Sequence, residues 1–356
     1  MSIFNKLFVK ENEDITGELS FYKSQYYSKS QIAPYNPDGL VTKKGSLGIY
    51  QTMLNDEQVK AVLTMKKHAV LASGWKIIGE DEKQNEFVQK CFENISMEDK
   101  LFEILSALEY GFSVSEMIYD KGEDGIVLKD IKTRPPQSFE FRTDEHGNLK
   151  KDGLIQYGSG NEIPLPVEKF IIYSYNSEFG NFYGRSDLRA VYRAWFSKDI
   201  TIKFRNMYNE RFGMPLVLAN YEKSLSKSQQ DDLEKIIKNI QAMTAIKVPK
   251  GVEISFLEAL RRGTTDYPQA IKDYDTAITR GILCPNLLGF TDINAGSYAL
   301  GEKQFDVFIW ILEKLRRDLE SGVLYKQVIK RLIDLNFANT KVYPRFKFNQ
   351  IGRAHV

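Results

Sequence analysis

The sequence predicts an α+β fold, in which a region of short strands is followed by a series of helices. Between residues 114 and 175, apolar and polar side chains alternate in short runs separated by turn residues, which is the pattern of half-buried strands. From residue 186 onward, apolar side chains mostly recur three and four positions apart, which is the pattern of helices. Segregated strand and helix regions are typical of the α+β class.

The composition is that of an ordinary soluble globular chain. It has 356 residues, 42% hydrophobic and 27% charged, enough for about two domains or one elongated one. Cys91 and Cys284 provide no disulfide framework and fit a reducing compartment. We expect no signal peptide and no membrane span. The net charge of only +2 predicts that any contact with DNA is weak and independent of sequence.

The first half of the chain predicts an extended arm, two helices and a set of strands. Residues 1–48 are polar and tyrosine-rich and form the arm. Asn55 caps a helix that ends near Gly74, and a second helix ends at Gly111. The strands follow at Val114–Tyr119, Ile126–Lys132, Phe139–Arg142, Leu154–Tyr157 and Phe170–Tyr175.

One long helix follows the strands. Ser186 is its N-cap, Asp187 complements its positive end, and Gly213 and Pro215 mark its end. About 26 residues of helix span roughly 39 Å. Its apolar residues go most of the way round, so we expect neighbouring copies of the chain to cover it. They are Leu188, Val191, Trp195, Ile200, Ile202, Phe204, Met207 and Phe212.

A small insertion separates this helix from the next. Residues 215–219 and 252–257 are predicted strands, and Ser226 with Gln229 begins a helix between them. A further helix starts near Pro268 and ends near Gly281. Residues 282–300 form a loop. A helical seam then follows, which Gly322 breaks before a last short helix over 324–335; the seam contains Phe305, Phe308, Leu312, Leu315 and Leu319.

The chain resembles the portal proteins of tailed bacteriophages, specifically the family that includes the phage Mu portal. The segments that carry the resemblance are Tyr50–Leu54, Lys66–Leu71 with Trp75, Tyr110–Glu116, Gly180–Pro215 and Gly296–Glu302. It implies the phage portal fold, with a mixed α/β wing, long stem helices, a small α/β clip insertion, and a tunnel loop and helix. The implied divisions are 49–186 for the wing, 187–213 and 264–283 for the stem helices, 214–263 for the clip, 284–300 for the tunnel loop, and 301–350 for the tunnel helix and start of the crown side. Residues 351–356 continue no pattern and suggest a truncated or foreign tail.

The resemblance also implies a function. It implies a ring of twelve subunits at a capsid vertex, through which double-stranded DNA is packaged and ejected and to which the tail connects. Implied partners are the terminase large subunit, head-completion or adaptor proteins and capsid proteins, in the virion and in the host bacterial cytoplasm during assembly. The implied channel lining is Asn286, Leu288, Phe290, Thr291, Asp292, Asn294 and Ser297. The implied subunit interface of the stem is Arg189, Arg193, Trp195, Lys198, Lys203 and Met207.

Charge is uneven on the long helix, where residues 185–213 carry seven basic and three acidic side chains. These cations either contact phosphates, pair with carboxylates of the next subunit, or form a solvated face; we favour pairing between subunits.

Motifs of enzymatic chemistry are lacking. Gly296–Gly301 has the glycine spacing of a phosphate-binding loop, but Glu302 stands where lysine should follow. The three histidines, 68, 146 and 355, are scattered, and neither cysteine has a C-x-x-C partner. We therefore expect no catalytic residues, no metal and no cofactor. Two alternatives stay open: an oligomeric structural adaptor that conducts no DNA, and an enzyme that uses the region from Tyr175 to Ser186.

Overall fold

The computed structural model describes residues 47–122, 125–158, 161–213, 216–221, 226–239, 252–257, 266–285 and 298–350. Contacts divide the chain into two compact units, Met1–Arg193 with Thr276–Val356, and Ala194–Asp275. Two helices cross from one unit to the other, so the division falls inside helices rather than in loops. The seven residues expected to line a channel and the tail 351–356 lie outside the described residues, as does the arm up to residue 46.

The described helices of the first half are α1 (Gly48–Met53), α2 (Glu57–Leu71), α3 (Glu82–Asn94), α4 (Met97–Ile104) and α5 (Ala107–Tyr110). The strands are β1 (Trp75–Ile78), β2 (Phe112–Gly122), β3 (Gly125–Arg134), β4 (Phe139–Thr143), β5 (Leu149–Gly158), β6 (Asn161–Leu165) and β7 (Phe170–Ser174). The second half contains α6 (Asp187–Gly213), β8 (Leu216–Tyr221), α7 (Lys227–Asn239), β9 (Val252–Leu257), α8 (Tyr267–Gly281), α9 (Tyr298–Arg317), a π-helix (Asp318–Ile329), α10 (Lys330–Asp334) and β10 (Arg345–Phe348).

Helix α2 begins one residue later than the sequence suggests. Its N-cap is Asp56, whose carboxylate accepts hydrogen bonds from the backbone N–H groups of Gln58 and Val59, and not Asn55. A carboxylate next to the positive end of a helix gives both a cap and a favourable charge, so the aspartate is the better cap here. The apolar face of α2 is buried in the core of the first unit.

The central sheet of the first unit has the order β3-β2-β7, with antiparallel pairing throughout. At both of its edges, a side-chain amide forms hydrogen bonds with the backbone of the edge strand. Gln327 accepts from Ile172 N (2.8 Å) and donates to Ile172 O (2.9 Å). Asn336 makes the same pair of bonds with the N–H and C=O of Ile126, at 2.7 and 2.8 Å. Each amide thus replaces one residue of a neighbouring strand.

A second antiparallel sheet, β4-β5-β6, joins the first through aromatic side chains. Phe112 of β2 and Phe141 of β4 meet edge to face with ring centroids 5.3 Å apart, and Tyr183 packs against both. Edge-to-face pairs add stability beyond the area that they bury. This cluster fixes the β4-β5-β6 sheet against the segment that leads into α6.

The C-terminal helix is continuous where the sequence predicts a break. Gly322 lies inside the π-helix Asp318–Ile329, and both flanking residues, Arg317 and Lys330, have right-handed helical dihedrals. A glycine costs only about 1 kcal/mol inside a helix. Burial of Leu319, Val323 and Leu324 on its two sides offsets that cost. The prediction that Gly322 ends the helix was therefore wrong.

Several elements have no counterpart in the sequence prediction. Among them are β1, α3, β6 and β10. Strands β1 and β10 pair antiparallel, with Trp75 stacked on Phe346 at 5.3 Å between ring centroids. Arg316 joins the end of α2 to the residue that follows β10. Its guanidinium donates to the carbonyl oxygens of Val70 (2.8 Å), Ala69 (3.3 Å) and Asn349 (3.1 Å).

The second unit contains most of α6 and α8, a β8–β9 pair and α7. Ser226 and Gln229 form the predicted capping box, with Ser226 N donating to Gln229 Oε1 at 2.9 Å and Gln229 N to Ser226 Oγ at 3.4 Å. Lys198 of α6 is 1% exposed and its ammonium lies 2.7 Å from Asp275 Oδ1 of α8. This buried ion pair and the packing of Tyr208 on Tyr267 hold the two helices together within this unit.

Candidate functional site

The segment Tyr175–Ser186 sets the point at which the long helix α6 starts. Tyr175 N donates to Gly111 O and Arg185 N donates to Tyr175 O, both at 2.8 Å. Gly184 has φ +56°, and a Cβ there would stand 2.2 Å from Gly111 O and 2.3 Å from Tyr175 O. Only glycine allows such an approach with this φ, so the turn fixes the start of α6 tightly against α5 and β7.

The first turn of α6 is capped as the sequence predicts. Leu188 N donates to Ser186 Oγ at 3.0 Å, and the Ser186 hydroxyl donates in turn to Glu109 O at 2.5 Å. Asp187 is the acidic residue of the first turn and is buried. A carboxylate stabilises the positive end of a helix, but a buried one also requires a cation.

Lys66 of α2 supplies that cation. Its ammonium is fully buried and donates to Asp187 Oδ2 at 2.8 Å, to Ile282 O at 3.0 Å and to Tyr175 Oη at 3.4 Å. Tyr175 Oη donates to the other oxygen of Asp187 at 2.9 Å. Ile282 directly follows the last residue of α8. We call Lys66, Tyr175 and Asp187 with the Ile282 carbonyl the anchor, because one ammonium joins the start of α6 to the end of α8.

The electrostatics of the anchor follow from its burial. Desolvation, and then the charge of Asp187 and its hydrogen bond, raise the pKa of Tyr175 well above its usual range. Desolvation likewise raises the pKa of the nearby Cys284 thiol to about 11, against a smaller lowering by Lys66. Tyr175 therefore remains a neutral hydrogen-bond donor and Cys284 an unreactive thiol at neutral pH. The anchor is suited to holding elements in place and offers no activated nucleophile.

A half-exposed apolar stripe runs along α6 in the second unit. It consists of Phe196, Ile200, Phe204 and Met207, spaced four, four and three residues apart, which places them on one face of the helix. Phe196, Phe204 and Met207 are 47%, 52% and 53% exposed. A row of half-exposed apolar side chains on a single helix face is typical of a surface that another protein covers.

The six residues expected at a stem interface are in different environments. Lys203 is exposed and pairs with Asp199 on its own helix, Arg193 is exposed, and Met207 lies in the stripe. Arg189 and Trp195 are partly buried within the chain. Lys198 forms the internal ion pair with Asp275, so its charge already has a partner in its own chain.

Sequence reasoning gave the anchor lysine no role. Lys66 occupies the position after Val59, Val62 and Leu63 on the apolar face of α2, where a lysine is out of pattern. A cation on an otherwise apolar helix face indicates a buried carboxylate elsewhere, and this signal could have identified it. Its partner Asp187 was assigned only to the positive end of its own helix.

The described residues offer no group of three or more histidine, cysteine or acidic side chains that could hold a metal ion. Among the described helices, none is long and apolar enough to cross a membrane. Within the described segments, His68 and His146 lie on separate parts of the chain and join no such group. His68, for example, is exposed and lies against Phe102.

Solved structures with a similar fold come from gene transfer agent particles. The chain in a structure titled "Neck of empty GTA particle computed with C6 symmetry" has a TM-score of 0.64 and 11% identity, over 90% of this chain and 87% of that one. A chain of the "Virion of native gene transfer agent (GTA) particle" has a TM-score of 0.63 and 12% identity, over 85% and 83%. One from the "Neck of native GTA particle computed with C12 symmetry" has 0.62 and 11%, over 85% and 84%.

The sequence itself matches a protein family over most of its length. The match covers residues 47–354, which includes every described element from α1 to β10, and the family is described as the portal protein of Mu bacteriophage. The resemblance noted from the five sequence segments is thereby confirmed, as is the mixed helix and strand fold. This chain belongs to the family of the portal protein of Mu bacteriophage.

Proposed function

We propose that this chain assembles into a closed ring of twelve subunits that forms a channel for double-stranded DNA at one vertex of a phage capsid. The observation that carries the proposal is the family match over residues 47–354. The similarity of fold to chains in the gene transfer agent supports it, because two of those structures are titled as particle necks, with C6 and C12 symmetry.

The apolar stripe on α6 supplies a physical reason for ring formation. Identical subunits that meet through two different surfaces form a ring when the rotation between them closes. Covering Phe196, Phe204 and Met207 removes their apolar surface from water, which stabilises the contact by about 25 cal/mol per Å². Met207 is the residue that this stripe shares with the interface expected from the sequence.

The remaining segments take the roles that the family order implies. In this proposal 49–186 forms the wing, α6 and α8 the stem, and 214–263 a clip that docks the terminase large subunit and head-completion proteins. The segment 284–300 forms a tunnel loop around DNA. The internal pairing of Lys198 with Asp275 supports a channel without strong phosphate contacts, because it leaves one cation fewer on the stem to bind DNA phosphates.

Particle size and shape test the ring directly. The purified full chain is examined by mass photometry and negative-stain electron microscopy. We expect closed rings near twelvefold with a central hole wide enough for a duplex. Rings that form without a hole of that width, or that never retain DNA in packaging extracts, would favour the oligomeric adaptor without DNA conduction. A chain that stays monomeric at high concentration would refute the ring.

A charge on the stripe tests which face closes the ring. Phe204→Asp is expected to abolish rings, because each interface would bury an unpaired carboxylate. Phe204 is half exposed, so the subunit itself should fold as before, with a stability change within about 0.5 kcal/mol. Asn209→Asp is the matched control: it adds the same charge to the same helix, and at about 100° per residue it lies about 140° from Phe204. Rings in both variants would exclude this face as the interface.

A deletion of residues 289–296 tests the tunnel loop. We expect rings of normal size that fail to package or retain DNA. Packaging at the normal level would remove the assignment of this segment to the channel. The anchor fixes the end of α8 just before this segment, so the ring should stay intact in the deletion variant.

A further inference from the structure

A cleft of about 820 Å³ opens between the end of β7, the loop that follows it and the middle of the C-terminal helix. Its volume lies within the range of about 300–1,000 Å³ that is typical of ligand sites. The cleft lies wholly in the first unit, and neither Lys66 nor the apolar stripe contributes to its walls. It is therefore a separate feature from the anchor and from the proposed ring interface.

One residue that lines the cleft has a buried hydroxyl group without a partner. Tyr173 lines the cleft, its side chain is 5% exposed, and its hydroxyl makes no hydrogen bond within the described part of the chain. The neighbouring hydroxyl of Ser174, in contrast, donates to Phe182 O at 2.7 Å. Buried polar groups in folded proteins nearly always have a partner, and an unsatisfied one lowers stability. The carboxylates of Asp318 and Asp187 lie near enough to act on this hydroxyl, and an acceptor atom of a ligand would give it the hydrogen bond that it lacks.

Positive charge dominates the wall formed by the C-terminal helix. Three cations line it, Lys314, Arg317 and Arg331, and one carboxylate, Asp318. Lys314 neutralises Asp318, with Nζ 2.5 Å from Oδ2. Arg331 uses Nη1 for Phe170 O at 3.0 Å, and Arg317 is exposed with no ion pair to any described residue. Arg317 therefore stays available for an anion, whereas Arg331 also lies under the influence of the Glu168 carboxylate.

Two glycines give a ligand access to the backbone. Gly180 and Gly322 both line the cleft, and apart from their chain neighbours and the backbone of Gly322's own helix, no described atom lies within 4 Å of the position that a Cβ would take at either. Glycine is the residue that allows a ligand to approach the backbone closely. The arginines, Tyr173 and these two glycines all line the same cleft.

We propose that this cleft binds a phosphate group. Phosphate presents several acceptor oxygens and at least one negative charge, which suits guanidinium groups, with their fixed fork of donors, together with a hydroxyl. The phosphate comes either from a free polyphosphate or nucleotide or from the backbone of DNA. The second source rests on the proposed channel function; the first does not.

Binding measurements with two probes test the proposal. Inorganic tripolyphosphate stands for the free source and a short blunt DNA duplex for the backbone source, each titrated into the full chain by calorimetry at low salt. Arg317→Gln should weaken binding by about 10- to 100-fold, the loss expected for one hydrogen bond to a charged group. Tyr173→Phe should weaken it by about tenfold and leave the melting temperature unchanged or higher, because it removes an unsatisfied hydroxyl.

Lys60→Gln is the charge-matched control, since Lys60 is exposed on α2 and does not line the cleft. Its affinity for both probes should equal that of the unaltered chain. Binding of tripolyphosphate that depends on Arg317 and Tyr173 supports the free source, and dependence seen with the duplex alone supports the backbone source. Binding of neither probe, or binding that neither substitution changes, overturns the proposal. Because calorimetry with tripolyphosphate needs no ring, failure of ring assembly leaves this result independent.

Discussion

Removing the anchor cation should destabilise the first unit far more than removing an exposed lysine. In Lys66→Met the side chain keeps much of its apolar length but loses the ammonium that donates to Asp187, Ile282 and Tyr175. Asp187 then remains as a buried carboxylate, its side chain 7% exposed, with only the Tyr175 hydroxyl to stabilise it among the anchor groups. Breaking a buried ion pair from one side costs about 3–5 kcal/mol.

Urea unfolding with hydrogen exchange measures this cost, because peptides from α2 and β2 report on the first unit alone. Lys314→Met is the matched control within the first unit. It also removes the lysine of a lysine–aspartate pair, at 2.5 Å instead of 2.8 Å, but the two side chains are 65% and 36% exposed. An exposed pair of this kind contributes about 0.3–0.5 kcal/mol. The reasoning is refuted if the two variants lose the same free energy of unfolding.

A second substitution shows where the cost arises. Adding Asp187→Asn to Lys66→Met removes the buried charge that the first change leaves unpaired. We expect the double variant to be more stable than the sum of the two single effects predicts, by about 1–3 kcal/mol, in a double-mutant cycle. Strict additivity would mean that Lys66 acts through packing and not through its charge.

Four further outcomes can be measured on the same protein. Gly184→Ala should cost more than about 2 kcal/mol in urea unfolding, because its Cβ would meet two backbone oxygens, whereas Gly180→Ala, with φ +70° and open space, should cost about 1 kcal/mol; equal costs would contradict the close packing at Gly184. Arg316→Lys should lower stability by about 1.5–3 kcal/mol, since an ammonium cannot reproduce the fork to three carbonyl oxygens, and an unchanged melting curve would contradict this. Cys284 should react with a thiol reagent at pH 8 much more slowly in the folded chain than in urea, because its pKa is raised to about 11; mass spectrometry of the labelled peptide checks this, and equal rates would be incompatible with it. Desolvation raises the pKa of Tyr173 far above the ordinary value, so above about pH 10 the unfolded chain loses this proton while the folded chain keeps it, and stability should fall by up to about 1.4 kcal/mol per pH unit, a slope that Tyr173→Phe reduces and that would persist unchanged if this tyrosine were not the cause.

Local signals were sufficient for the elements with clear caps and periodic patterns. Ser186, with the run of apolar residues up to Gly213, predicts a helix that the structure contains at Asp187–Gly213. The capping box at Ser226 and Gln229 is also confirmed. In both cases the deciding signals are local in the sequence: a cap and a periodic pattern in the first, and two residues three positions apart in the second.

Elements that depend on distant partners could not be predicted in this way. Strand β1 carries only four residues, and what makes it a strand is its pairing with β10, about 270 residues later in the chain. Glycine ends many helices, but the helix continues through Gly322 because the side chains around it are buried. Tertiary packing outweighed the local signal at each of these places.

The exposed position of Met207 could be predicted from the sequence, and the buried anchor could not. Met207 belongs both to the expected interface and to the apolar stripe, because exposure on a helix face follows from periodicity. The anchor combines residues from α2, β7, α6 and α8, and no spacing rule brings Lys66 and Asp187 together. Lys198 illustrates the same limit: a partner between subunits was expected, and Asp275 of the same chain lies 2.7 Å away.

The glutamine and asparagine side chains at the two margins of the β3-β2-β7 sheet protect the chain from aggregating with other copies of itself. An open strand margin invites a second molecule to extend the sheet, and the result is fibres or precipitate. Gln327 and Asn336 already occupy backbone groups on both margins, so an incoming strand would first have to displace an amide that makes two hydrogen bonds. Copies of the chain at high concentration are thereby protected from polymerising through this sheet.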